Sequence, residues 1–285
     1  MLLSCSILVI STTNASDGNA SQGKSIFVLA GQSNMAGRGG INAGVWNEYV
    51  PPECQSSPKI LRLNSEHKWE EARPPLHRDI DILKACGIGP GLAFANSVLK
   101  KNISIGDIGL VPCAIGGTQI SQWRRGHTLY KQLMSRAHAA LQDGGIIRAI
   151  LWYQGESDTR SQEDAKLYKM RLAKLITDIR SDLKLPELPV ILVALASAEG
   201  PYIDEVRKAQ LGIDLPNVKC VDAKGMQIGS DGLHLSTEGE VQVGQMMANA
   251  FTQFYGLIFF VWASFSDGLV GILIIIHIYV LNIAE

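Results

Sequence analysis

Short apolar runs alternate along this chain with long segments of helical periodicity, and this alternation limits the folds open to it. The apolar runs cover residues 25–30, 106–113, 146–153, 189–196 and 218–222. The helical patterns cover residues 91–101, 129–142, 163–183 and 237–254. Strands that alternate with helices form a parallel sheet, because each helix returns the chain to the same end of the sheet. The sequence therefore predicts an α/β fold, a three-layer α/β/α sandwich whose central parallel sheet has helices on both faces.

One long segment, residues 39–84, interrupts this alternation and is rich in Pro, Asn and Glu. A stretch of this length without a clear period is uncommon inside a compact domain unless it contributes to a functional site. We therefore predict a large insertion that shapes a cleft rather than a linker.

The composition is typical of a single enzyme domain. With 285 residues the chain is long enough to bury one large core. Its 26 basic and 27 acidic residues leave no basic excess, so nucleic acid is not expected to be a partner. His77, Asp79 and Asp81 alternate as metal ligands can, but no second cluster and no HExxH or CxxC motif supports a metal site. We expect neither a metal nor an organic cofactor.

The amino terminus resembles a signal peptide. Residues 7–10 are apolar and small residues stand at Thr13 and Ala15, although a basic n-region is missing. We predict a leader over residues 1–22 and entry into the secretory pathway. The remaining Cys54, Cys86, Cys113 and Cys220 would then allow three disulfide pairings. The alternative is a cytoplasmic enzyme with free, buried thiols.

The carboxyl terminus, residues 257–285, is a separate apolar tail after a catalytic domain predicted to span residues 23–256. It is long enough to cross a bilayer, which predicts possible membrane association. Asp267 near its middle opposes insertion by roughly 3 kcal/mol. A membrane anchor, a segment packed on the domain and a misread gene end remain open.

A serine stands where the first predicted strand ends. The apolar run 25–30 is followed by the sequence GQSNM, in which Ser33 is the third residue. Open α/β sheets bind ligands just beyond the carboxyl ends of their strands. The sequence therefore places Ser33 where a nucleophile is useful, although a serine here can also simply cap the next helix.

A histidine near the end of the domain has an acidic partner. Asp231 precedes His234 by three residues in a loop with Gly232. At that spacing the carboxylate can hold one imidazole nitrogen and leave the other facing a serine. Alternatively, Asp231 caps the helix that begins near Ser236. Together with Ser33, the pair favours nucleophilic catalysis.

Five sequence blocks, IFVLAGQSNMAGRGG, CGIGPGLAFA, IGLVPCAIGGT, LWYQGESD and the block ending DGLHL, occur in this order between residues 25 and 255. On these blocks the chain resembles the SGNH (GDSL-like) hydrolases, and within them the plant carbohydrate esterases of the sialate O-acetylesterase-like group. The resemblance implies a flavodoxin-like sandwich and a serine esterase without cofactor. Its expected reaction removes acyl groups, most often acetyl, from a carbohydrate through a covalent acyl-enzyme.

The resemblance also implies roles for individual residues. Ser33 matches the nucleophile, His234 the general base and Asp231 its orienting carboxylate. The oxyanion donors of the family match the backbone N–H groups of Ser33 and Gly116 and the side-chain amide of Gln154. Most SGNH enzymes have Asn at the last position, and Gly117 remains an alternative to Gly116.

Other functions remain to be separated from this one. A lipase or thioesterase would use the same residues with a different cleft, and a non-catalytic carbohydrate-binding protein could keep the fold. Glu156 and Asp158 suggest a glycosidase pair, but structural hydrogen bonding is the favoured interpretation of Glu156. Trp123, in a polar run, is the tryptophan best placed for exposure and stacking on a sugar.

Overall fold

The computed structural model describes residues 23–101 and 105–254. The strands are β1 (Ser25–Gly31), β2 (Ile41–Asn42), β3 (Val45–Trp46), β4 (Ile60–Leu63), β5 (Trp69–Glu71), β6 (Ile108–Pro112), β7 (Ile146–Tyr153), β8 (Val190–Ala194) and β9 (Val218–Asp222). The helices are α1 (Ser33–Ala36), α2 (Pro90–Lys101), α3 (Thr128–Leu141), α4 (Gln162–Leu183), α5 (Ile203–Leu211) and α6 (Thr237–Thr252). Short 3₁₀ turns lie at Pro52–Cys54, Ile120–Trp123 and Glu156–Arg160.

The main sheet has seven strands in the order β5-β4-β6-β1-β7-β8-β9. Every neighbouring pair is parallel except β4 and β5, which are antiparallel. The connections from β6 through β9 all run in one direction across the sheet, so right-handed crossovers place α3, α4 and α5 on one face. Helices α2 and α6 pack against each other on the other face. This arrangement confirms the predicted three-layer sandwich, with one antiparallel edge strand added.

The core is centred on β1, in which every residue is buried. Three aromatic rings join this strand to the α2 and α6 layer. Phe27 lies edge-to-face with Phe94 and Phe251, with ring centroids 4.9 and 4.8 Å apart. A central parallel strand is covered on both faces, which explains why its sequence is a continuous apolar run rather than an alternating one.

The predicted insertion contributes more to the fold than expected. Residues 39–84 form the small β2–β3 hairpin and also supply β4 and β5 to the sheet edge. These strands are short and charged, so their sequence has no strand period. Arg62 of β4 is buried because Glu70 and Asp79 accept its hydrogen bonds. Helix α5, which has only nine residues, is not among the helices predicted from the sequence.

Cys54, Cys86, Cys113 and Cys220 are all free thiols, so none of the three pairings forms. Burial raises the pKa of the Cys54 thiol to about 12. Within the two described ranges, no helix combines the length and hydrophobicity needed to cross a bilayer. The predicted leader, 1–22, and apolar tail, 257–285, lie outside the described residues.

Candidate active site

Ser33 begins the one-turn helix α1 directly beyond β1. Gly31 has φ of +131°, and a Cβ there would collide with the carbonyl oxygen of Tyr153 in the neighbouring β7. Only glycine therefore lets the chain turn this tightly between two parallel strands. Strand β1 lies between β6 and β7, where the strand order reverses, and ligands of open α/β sheets bind at that point.

The structure brings Ser33, His234 and Asp231 together. The Oγ of Ser33 lies 2.9 Å from Nε2 of His234. The Nδ1 of the same ring lies 2.6 Å from Oδ2 of Asp231. A carboxylate at Nδ1 favours the tautomer with its proton on that nitrogen, which leaves Nε2 free to accept the serine proton. The contact between Ser33 and His234 joins residues 201 positions apart in the sequence.

The sequence left open that Ser33 and Asp231 only cap helices, and the structure excludes this for both side chains. The side chain that caps α6 is Ser236, whose Oγ accepts from the N–H of Gly239 at 3.2 Å. Asp231 instead uses Oδ1 to accept the N–H groups of Leu233 and His234, each at 2.9 Å. Helix α1 has no side-chain cap. Neither Asp231 nor Ser33 caps a helix with its side chain, so each is free to contact one nitrogen of the His234 ring.

Hydrogen bonds also set the charge of Asp231. Partial burial acts to raise the pKa of its carboxyl, but the backbone and ring of His234 and the N–H of Leu233 outweigh it. The pKa is lowered below its usual value, so Asp231 is a carboxylate at neutral pH. It can therefore stabilise an imidazolium that forms on His234.

The predicted oxyanion donors on the backbone differ in availability. The N–H of Ser33 has no acceptor among the described residues. The N–H of Gly116 donates to Oδ2 of Asp81 at 3.2 Å, and Asp81 is itself ion-paired with Arg38. A Cβ at Gly116 would lie 2.8 Å from Nη2 of Arg38 and 3.1 Å from Oδ2 of Asp81, so a side chain here would have to displace this buried ion pair. The next N–H, of Gly117, has no acceptor in the described part of the chain.

The side chain of Gln154 is completely buried and fully bonded. Its Nε2 donates to Asp158 at 2.6 Å and to the carbonyl of Thr118 at 2.8 Å. Burial raises the pKa of the Asp158 carboxyl to about 6. These contacts hold the end of β7 against the turn after β6. To reach a substrate oxygen, Gln154 would have to release Asp158.

Sequence reasoning missed the role of Asn34. Its Nδ2 donates to Oε1 of Glu156 at 2.6 Å, and its Oδ1 accepts the N–H of Leu235 at 3.0 Å. Asn34 therefore ties the end of β7 to the residue after His234. The predicted structural hydrogen bond of Glu156 is confirmed by this contact. The only signal for Asn34 was its place beside Ser33.

Glu156 is almost completely buried, and its Oε2 has no hydrogen-bond partner among the described residues. Burial raises the pKa of its carboxyl from 4.5 to about 7, against the opposing effect of hydrogen bonds from the backbone and Asn34. The folded protein thus retains a proton that the unfolded chain releases near pH 4.5. The contribution of Glu156 to the free energy of unfolding therefore falls as the pH rises from about 4.5 to 7.

Replacement of Glu156 by glutamine is expected to remove the share of this pH dependence that Glu156 contributes, beside those of the buried Asp158 and Glu240, and to stabilise the protein above neutral pH. Glutamine keeps an acceptor for Asn34 and carries no charge. At about 1.4 kcal/mol per pKa unit, the change in the free energy of unfolding that comes from this carboxyl is roughly 3 kcal/mol at most. Urea unfolding of both proteins between pH 5 and 8.5 measures it, with Glu48→Gln as an exposed control. An unchanged slope in E156Q would contradict the assignment.

Two other sequence features were a run of metal-ligand side-chain types and a tryptophan predicted to be exposed. His77, Asp79 and Asp81 do not converge, since Asp79 pairs with Arg62 and Asp81 with Arg38. Among the described residues, no group of three or more His, Cys, Asp or Glu side chains is placed to hold a metal ion. The predicted exposure of Trp123 is wrong. Its ring is buried against Trp152 and donates Nε1–H to Thr118.

The family described as carbohydrate esterase, sialic acid-specific acetylesterase, matches residues 23–253. The chain belongs to this family. Membership makes the protein an ester-bond hydrolase of the carbohydrate esterase class. A probable carbohydrate esterase from Arabidopsis thaliana is 52% identical over 233 residues, which cover 79% of this chain and 89% of the relative.

Solved structures agree with this assignment. The X-ray structure of the same Arabidopsis protein has a TM-score of 0.79 at 51% identity and covers 81% of this chain and 98% of its own. NanS has a TM-score of 0.67 at 17% identity, over 82% of this chain and 98% of its own. A carbohydrate acetylesterase from Xanthomonas citri has a TM-score of 0.54 at 18% identity, over 82% of this chain and 57% of its own. These last two structures show that the present chain shares their fold.

Proposed function

We propose that the protein is a serine esterase that removes O-acetyl groups from a carbohydrate through a covalent acyl-enzyme. The observation that carries the proposal is the continuous contact from Ser33 Oγ to His234 Nε2 at 2.9 Å and from Nδ1 to Asp231 at 2.6 Å. Membership of the carbohydrate esterase family supports the substrate class.

His234 moves the proton in each half of the reaction. Its Nε2 takes the hydroxyl proton of Ser33 as Oγ bonds to the acyl carbon, and the imidazolium is stabilised by Asp231. When the carbon–oxygen bond to the sugar breaks, His234 returns that proton to the leaving alcohol. Water then repeats the attack on the acyl-serine with His234 as base, which releases acetate and restores Ser33.

The negative oxygen of each tetrahedral intermediate requires hydrogen-bond donors, each worth about 3 kcal/mol of barrier. The N–H groups of Ser33 and Gly117 are available without breaking an internal bond. Gly116 and Gln154 are donors only if the substrate oxygen displaces Asp81 and Asp158. The proposal therefore assigns Ser33 and the Gly116–Gly117 turn to the oxyanion, with Gln154 supporting that turn.

The surroundings of Ser33 favour a short acyl group over a lipid chain. A Cβ at Gly116 would lie 3.5 Å from Cβ of Ser33 and 2.8 Å from Arg38, so the ion pair of Arg38 and Asp81 occupies this side. A separate apolar groove of about 570 Å³ is lined by Leu167 and Met170, among other residues, but by none of Ser33, Asp231 and His234. These observations favour acetyl transfer over the lipase alternative.

Two measurements test the proposed function. A fluorophosphonate is expected to add one covalent label, mapped by mass spectrometry to the peptide that contains Ser33. Aryl esters of increasing chain length are expected to lose about tenfold or more in kcat/KM between acetyl and octanoyl. A label on another residue would contradict the nucleophile, and equal or faster hydrolysis of octanoyl esters would contradict acetyl specificity.

A further inference from the structure

A polar cleft of about 310 Å³ opens beside the catalytic loop. One wall comes from the β2–β3 hairpin and the residues after it, and the other from residues 229–238. Polar side chains on these two walls include Asn42, Asn47, Tyr49, Ser230, His234 and Glu238. The volume is at the lower end of the range for small-molecule sites, which suits one or two sugar units.

The position of the cleft relates it to the leaving group. His234 lines the cleft, and the base that returns a proton must lie within hydrogen-bond reach of the leaving oxygen. The alcohol part of the ester must therefore extend from Ser33 toward the space that His234 borders. The other side of Ser33 is bounded by Gly116, Arg38 and Asp81, where the acyl group and its oxygen would lie.

The cleft carries polar groups that the protein itself does not use. Within the described ranges, the side chains of Asn42, Tyr49 and Ser230 form no hydrogen bond. Asn47 uses only Oδ1, which accepts the N–H of Tyr49 at 3.0 Å. The Tyr49 side chain is exposed and has a ring face for stacking. Sugar rings require this combination of amide and hydroxyl groups with an aromatic surface.

The charges of the cleft disfavour an anionic sugar. Asp231 and Glu238 present carboxylates, while the positive charge of Arg38 is neutralised by its buried partner Asp81. A carboxylate on the substrate would be repelled, although solvent screening limits the effect to a few-fold. A neutral sugar has no such cost.

We propose that this cleft is the subsite for the sugar that carries the ester, that this sugar is neutral, and that Tyr49 is its stacking surface with Asn42 and Asn47 as hydrogen-bond partners. The inference rests on the proposed function and deepens it. It assigns to the 39–84 insertion the recognition of the leaving group, separately from the chemistry at Ser33.

The test compares two substrates on the full chain: ethyl acetate, whose leaving alcohol has no ring to stack on Tyr49, and an acetylated xylo-oligosaccharide. Tyr49→Ala is expected to lower kcat/KM on the oligosaccharide about tenfold through KM, and to change hydrolysis of ethyl acetate less than twofold. Tyr49→Phe should keep most of the activity. Val45→Ala, in the adjoining β2–β3 hairpin but outside the cleft, is the matched control.

A second comparison tests the charge. Glu238→Gln is expected to raise kcat/KM on an O-acetylated sialic acid a few-fold and to leave the neutral oligosaccharide unchanged. Faster hydrolysis of the sialic acid than of the neutral sugar by the unaltered protein would overturn the preference.

The outcomes also separate this inference from the proposed function. An equal loss on both substrates in Y49A, or no loss on either, would overturn the subsite. If the unaltered protein cleaves ethyl acetate but no acetylated sugar, the carbohydrate substrate itself is wrong.

Discussion

Ser33→Ala is expected to lower kcat on every ester substrate by roughly 10⁴- to 10⁶-fold, because the atom that bonds to the acyl carbon is lost. The fold should not change. The Ser33 hydroxyl contacts His234 and does not cap α1, so its removal leaves no buried polar group of the core unpaired. Binding of an acetylated oligosaccharide should also remain, since the proposed sugar cleft does not include Ser33.

The measurement is the rate of 4-nitrophenyl acetate hydrolysis together with a thermal melt by circular dichroism. Ser56→Ala, at an exposed serine, is the control for serine removal. A S33A protein that melts normally and keeps more than about a tenth of the activity would show that another nucleophile carries the reaction. A small residual rate above that of uncatalysed hydrolysis would agree with the mechanism, because the oxyanion donors remain in S33A.

His234→Ala is expected to have the second largest effect, and a larger one than Asp231→Asn. Without the imidazole no group accepts the Ser33 proton, and a loss of roughly 10⁴- to 10⁶-fold in kcat follows. Asp231 orients the ring and stabilises its positive charge but takes no proton. Its side chain is 52% exposed, so water can replace part of its effect. A loss of roughly 10²- to 10⁴-fold is expected for D231N.

Full kinetics of the two variants decide the ranking. Asp143→Asn, an exposed aspartate outside the site, controls for the charge change. If D231N were slower than H234A, or if neither variant lost more than about tenfold, the assigned roles of base and orienting carboxylate would be wrong. The combined variant should be no slower than H234A alone, because the two residues act as one unit.

The features that the sequence predicted correctly are those with a local physical cause. Strand β1 and residues 149–153 of β7 are covered on both faces, so their burial is visible as continuous apolar runs. The turn after β1 requires Gly31, and the acidic partner of His234 lies only three residues away. Each of these features depends on neighbours in the chain, and the order of the motifs then linked them to one family.

The edge of the sheet could not be predicted in the same way. Strand β4 contains Arg62, whose burial is stable only because Asp79 accepts two of its hydrogen bonds. Here the tertiary partners, rather than the hydrophobic period, determine the conformation. Helix α5 is amphipathic, with Val206 and Ala209 on its buried face, but its nine residues are fewer than the window over which a helical period can be recognised.

The sequence by itself determined the α/β sandwich and the three residues proposed for catalysis, because apolar periodicity and short motifs are properties of neighbouring residues. Only the tertiary structure decided which N–H groups are available to an oxyanion. The N–H of Gly116 already donates to Asp81, a residue of the insertion that lies 35 positions away in the sequence. Asn34 steadies the loop of His234 through Glu156 and Leu235, which lie 122 and 201 positions from it. Hydrogen-bond donors and buried carboxyls acquire their roles from whatever the fold packs against them, and no local pattern carries that information.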